Sequence, residues 1–136
     1  MNREIVESLD QQFATLINSL KELAGSVPPD LLLRSAAVIE QMCGGLTANL
    51  WDDPFEWTLP ETLSNTDRII EYLSEVDVAR QRAFNSIRDD SALTKYISAP
   101  TGERQLVNLL LETLVKAVDY RGRAVAAIKL LSGEGT

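Results

Sequence analysis

The chain has 136 residues, a formal net charge of −7 at pH 7, no histidine and one cysteine, and 45% of its residues are hydrophobic. A chain of this size suits one domain over residues 1–136 that buries about 65–70% of its unfolded surface without disulfide or metal staples. The acidic balance repels a phosphate backbone, no segment collects lysines and arginines, and no apolar run has the length of a membrane span, so nucleic acid and membranes are excluded as partners.

MNREIVESLD mixes charged and apolar residues without the continuous apolar stretch of a signal peptide, so a reducing cytoplasm is the expected compartment. Apolar residues then recur at spacings of three and four, which predicts four helices and no strand. The first covers about 2–24, with Ile5, Leu9, Phe13, Leu16, Leu20 and Leu23 on one stripe and Gly25 ending it. Pro28, Pro29 and Asp30 restart the chain, because proline suits the first helical turn and an acid the positive end of the dipole. The second helix is expected over 29–50, with Leu31, Val38, Met42 and Leu46 or their neighbours inward and Cys43 in the core. Gly44-Gly45 interrupts it at about 1 kcal/mol per glycine, a cost most simply recovered by the close approach of another helix, with a kink as the competing account.

WDDPFEWTLPETL, residues 51–63, reads as an irregular connection whose aromatics pack back on the body, with lining a pocket mouth as the competing account. A third helix is expected from Asn65 or Thr66 to Arg88, with Ile69, Leu73, Val76, Ala83, Phe84 and Ile87 inward and Arg80 on the same stripe. Glu71 and Glu75 share its polar face. Thr101 is the expected N-cap of the last helix, which runs to Leu131 with Leu106, Leu110, Leu114, Val118, Val125 and Ile128 as its inward band. Together these predict an all-α four-helix bundle.

The lack of histidine removes serine–histidine and cysteine–histidine nucleophile pairs, Glu-x-x-His di-iron bundles and H-E-x-x-H zinc sites. No Walker-type phosphate loop is present either.

In the last helix, LLLETLVKAVDYRGRAVAAIKLLSG resembles the closing helix of the DinB-like proteins of the YfiT/DinB superfamily. That helix typically runs from a leucine-rich lead through H-x-x-x-H-R-G into a further apolar stretch. Here Lys116 and Tyr120 stand at the two histidine positions, followed by the matching Arg121 and Gly122. In the second helix, SAAVIEQM places Gln41 at the family's third histidine, with Glu40 as the alternative register.

The resemblance implies a DinB-like four-helix bundle with a long crossover connection, frequently a homodimer, whose three histidines bind a divalent metal. In related branches that metal serves thiol-dependent transfer or isomerisation. This chain departs at each ligand position: an ammonium has no lone pair at neutral pH, and an amide and a neutral phenol are weak donors. The expectation is a bundle with no metal and no cofactor, non-catalytic, acting as an interaction protein or holding a small anionic ligand at Gln41, Lys116, Tyr120 and Arg121. The alternative is a metal-independent transferase or isomerase rebuilt around Lys116, Tyr120 and Arg121. Two further expectations follow from spacing and charge: Glu112 pairs with Lys116 one turn away, and Arg121 finds a carboxylate, with Asp52, Asp53 and Glu56 as candidates, or several carbonyls, as an ion pair or hydrogen-bond anchor tying the last helix to a neighbouring segment. A structural bundle unrelated to DinB-like proteins stays open, and helix connectivity separates it from the others.

Overall fold

The computed structural model describes residues 2–27, 29–52 and 65–132, and of residues 129–132 only the backbone. The connection expected at 51–63 therefore lies outside the described residues beyond Asp52. Four helices carry the fold: α1 (Glu4–Leu23), α2 (Pro29–Ala48), α3 (Thr66–Asn85) and α4 (Leu106–Ser132).

Two helix ends follow directly from their caps. Asn65 opens α3 by accepting hydrogen bonds from the Asp67 and Arg68 amides at 2.9 and 3.3 Å. Asn49 closes α2 in the left-handed region, φ 56°, a conformation asparagine tolerates better than most residues. There the Asn49 and Leu50 amides bond back to the carbonyls of Gly45 and Gly44, each at 3.1 Å. This turn ends α2 two residues before the expected Leu50.

One departure is larger. Between α3 and α4, a 3-10 helix (Asp90–Thr94) leads into an antiparallel hairpin of β1 (Tyr96–Ala99) and β2 (Gly102–Gln105), where no strand was expected. Pro100 and Thr101 form its two-residue turn, and Gly102 supplies the φ of 114° that the return requires. Thr101 is thus a turn residue, and α4 starts at Leu106.

α2 packs against α4 and α3, while α1 packs mainly on α3 and less on α4. Side-chain contacts fix the directions. α1 and α3 are antiparallel, since Asp10 meets Arg80 and Arg3 reaches the carbonyls at the end of α3. α2 and α3 are parallel, since Glu40 meets Tyr72 and Cys43, one turn on, lies in the field of Arg80. α4 opposes α2, with Ser35 bonded to Ala117 and Gln41 and Met42 beside Leu109 and Thr113. A tight turn cannot join parallel neighbours, so the helices do not simply alternate up and down.

The core is built from the expected faces with two shifts. On α1, Val6, Leu9, Phe13, Leu16, Ile17 and Leu20 are buried while Ile5 points out. On α4 the buried line is Leu106, Leu110, Thr113, Ala117 and Ala124, and Val118, expected inward, is half exposed. Ser35, Ala36 and Ala37 on α2 and Ala117 on α4 are buried, and the fully buried Ser35 hydroxyl donates to the Ala117 carbonyl at 2.6 Å, a close approach of side chain to backbone.

Across the molecule, Phe13 and Phe84 stack at 5.6 Å between centroids. Arg80, the buried charge on the α3 stripe, donates to Asp77 at 2.9 Å and also to Asp10. Burial alone would lower its pKa, but these two carboxylates outweigh that and hold it charged. At the end of this pair, Asp90 accepts the Ile5 and Val6 amides at 3.1 and 2.9 Å, capping α1 from a distant segment. Arg3 answers by donating to the Phe84, Ile87 and Arg88 carbonyls.

Candidate functional site

Among the described residues, the cavity that unites the expected site positions lies between α2, α4 and the hairpin turn, with a volume of about 200 Å³. Gln41 of α2 and Lys116 of α4 both line it. Its remaining walls are Val38, Met42 and Leu109 from the helices, Ala99, Pro100 and Thr101 from the turn, and Trp51 from the chain just past α2.

The Gly44-Gly45 pair explains how Trp51 reaches that wall. A Cβ on Gly45 would come within 3.0 Å of the Trp51 ring, and a Cβ on Gly44 would lie 2.8 Å from the Leu50 carbonyl oxygen. The close approach predicted at these glycines is real, but its source is the chain folding back after α2 rather than another helix. The returning segment is held by Gln41, whose Nε2 donates to the Trp51 carbonyl at 2.7 Å, and by Asn49, which accepts from the indole Nε1 at 3.0 Å. Gln41 is thus an anchor for the cavity wall.

The cavity's charges come from α4 and β2. Arg104 pairs with Glu112 across the rim. This differs from the expected Glu112–Lys116 pair, because the hairpin delivers a guanidinium that competes for the same carboxylate. Lys116, exposed at the mouth, makes no ion pair among the described residues. Among the described lining residues, one carboxylate and two cations give a surplus of one positive charge.

Tyr120 and Arg121 stand elsewhere. Tyr120 does not line the cavity; the Arg123 guanidinium carbon sits 5.7 Å from its ring centroid. Arg121 lies on the α1 side of α4 and donates from Nε to the Ser19 hydroxyl at 2.8 Å. Among the described residues its partner is this hydroxyl, a hydrogen-bond anchor to α1 rather than a pair with Asp52; Asp53 and Glu56 lie outside the described residues. The four expected site residues thus divide into a pair that shares a cavity, Gln41 and Lys116, and two that do not.

Glu40, the alternative register, is at the α2–α3 contact and accepts from the Tyr72 hydroxyl at 2.6 Å. Burial raises its pKa, the Tyr72 bond opposes that, and Glu75 adds to it. Cys43 is buried in the core, where burial pushes its thiol up to about 12, so it is no nucleophile.

The residues do not fit a divalent metal. Lys116 carries an ammonium with no lone pair to give, Gln41 offers only a weakly donating amide oxygen, and the Tyr120 phenol is outside the cavity. Among the described residues, no group of three or more histidine, cysteine, aspartate or glutamate side chains could hold an ion. Nor is any described helix long and apolar enough to cross a membrane.

Arg104 and Thr101 are site residues that the sequence reading missed, whereas Trp51 takes the pocket-lining role left open for its segment. The signal for the first two was a Pro-Thr-Gly turn between YISA and ERQL, a hairpin pattern overlooked beside a strong helical period. No protein-family model, curated protein or solved structure matches the chain.

Proposed function

We propose that this protein is a DinB-like bundle that no longer binds metal and holds a small anionic ligand, without catalysis, in the cavity between α2, α4 and the hairpin. One observation carries the reading: Gln41 and Lys116, on different helices, open on the same cavity beside Arg104. Parallel α2 and α3 support the family part, since that order requires the crossover connection the resemblance implies. The cavity, at about 200 Å³, is smaller than the pockets of drug-sized ligands, so its occupant has few heavy atoms. Lys116 at the mouth and Met42, Leu109 and Trp51 inside favour a short monocarboxylate, charged head outward.

The enzyme alternative needs Lys116, Tyr120 and Arg121 around one substrate, and their separation leaves it without an assembled site.

Titration of the labelled protein with acetate, propionate and inorganic phosphate, followed by amide and indole NMR shifts, tests the proposal. Saturable shifts at Gln41, the Trp51 indole and Thr101 are expected, with affinity at least about tenfold weaker in Lys116→Ala, given the strength of hydrogen bonds to charged groups. Shifts spread over the surface, or unchanged affinity in the variant, would refute the ligand. One tightly held divalent ion per chain in protein purified without chelator would refute the loss of metal.

A further inference from the structure

Thr113 is a buried polar residue of α4 that the fold itself does not use. It is only 7% exposed, and its side chain lines the cavity with Gln41 of α2 beside it. A hydroxyl on a helix ordinarily turns back to the carbonyl one turn earlier, as Thr47 does to Cys43 at 2.8 Å. Thr113 bonds neither to the Leu109 carbonyl nor to any other described group. Among the described residues no side-chain oxygen is both sealed and unpartnered, so the free Thr113 hydroxyl opens on the space that its side chain borders, the cavity.

Gln41 supplies the complement. Its amide is oriented by the Trp51 carbonyl, which can only accept, so Nε2 is turned to Trp51 and Oε1 remains an acceptor with no partner among the described residues. The interior thus presents an acceptor on α2 and a hydroxyl on α4, beside the apolar Met42 and Leu109. A carbonyl or ether oxygen in a ligand satisfies the Thr113 hydroxyl alone, whereas a ligand hydroxyl donates to Gln41 and accepts from Thr113 at once. Lys116 follows Thr113 by three residues, about 5–6 Å away between Cβ atoms, with its ammonium further out at the mouth.

We infer that the occupant of the cavity is a short 3-hydroxy monocarboxylate, with its carboxylate at Lys116, its hydroxyl between Thr113 and Gln41, and its terminal carbon on Met42 and Leu109. This rests on the cavity reading above and adds the residue that sets its specificity. A 3-hydroxy acid puts a methylene between its carboxyl and carbinol carbons, which suits a cation at the mouth and a hydroxyl one helical turn away inside; a 2-hydroxy acid lacks that spacer.

NMR titration of the full chain with butyrate and 3-hydroxybutyrate, acids that differ by one oxygen, tests the assignment. The hydroxy acid should bind at least about tenfold tighter, as in sites that hydrogen-bond a ligand hydroxyl. Thr113→Val keeps the shape of the side chain and has no hydrogen bond within the chain to lose, so its thermal melt should match or exceed that of the wild type. In this variant the preference should vanish, while Thr113→Ser, which keeps a hydroxyl, should retain it. Equal affinity for the two acids in the wild type overturns the inference and leaves the cavity reading standing, as does a preference that survives Thr113→Val or is lost in Thr113→Ser. Binding of neither acid overturns both.

Discussion

The α1–α3 half and the α2–α4 half of this molecule are finished differently. Between α1 and α3, the phenylalanine pair, the Arg80 ion group and the mutual caps of Arg3 and Asp90 leave few polar ends unanswered. Between α2 and α4, the Ser35 hydroxyl answers the Ala117 carbonyl, yet one end opens into a cavity and the outer face of α4 shows apolar side chains to water. The two halves thus differ in how their polar groups and their ends are answered, although α2 and α4 pack more extensively than α1 and α3.

The largest effect that would test this division is at Arg80. Arg80→Ala leaves Asp10 and Asp77 facing each other beside the core, and urea unfolding should show a loss of about 3 kcal/mol, as for other broken buried pairs. A loss no larger than that of an exposed ion pair would place stability elsewhere.

A smaller effect separates two glycines on the open side. Gly45→Ala collides with the Trp51 ring and should cost about 1–2 kcal/mol by overpacking, after the helix-propensity gain, with changed Trp51 emission in a Trp57→Phe background. Gly122→Ala meets open space and should stabilise dilute protein by about 0.5–1 kcal/mol in the same unfolding assay. Equal signs for the two would undo the account of the Trp51 wall.

The smallest effect concerns Glu40. Because burial raises its pKa, the folded chain binds this proton more readily than the unfolded chain, so stability falls as pH rises from the ordinary carboxylate range through the raised value. Glu40→Gln keeps an acceptor for Tyr72 and removes the buried charge. Its urea midpoint should vary less with pH across that window and match or exceed wild type at neutrality.

Most of α1 and α3 was legible in the sequence because a strong 3.6-residue period coincides there with real burial: Phe13, Ile69, Leu73, Val76 and Phe84 fall where the pattern puts them. Even Arg80 was visible as a charge on an apolar stripe. The hairpin was not, since four-residue strands give period two little room, and Tyr96 and Ser98 face water. On α4 the period placed Leu106 and Leu110 in the core and Leu114 and Ile128 against it, but it also put Val118 inward where the buried Ala117 makes the contact with Ser35. The site was half legible. Position matching found Gln41 and Lys116, and the aromatic segment from Trp51 was open to a pocket-lining role, but Arg104 enters by a chain reversal that only its turn encodes.

The mutual caps of Arg3 and Asp90 join positions 84 to 85 apart in sequence. During synthesis the Ile5 and Val6 amides precede Asp90, their acceptor, whereas Asn2 is already at hand to accept from the Glu4 amide at 2.9 Å. The start of the first helix is therefore completed by a segment made only after α3.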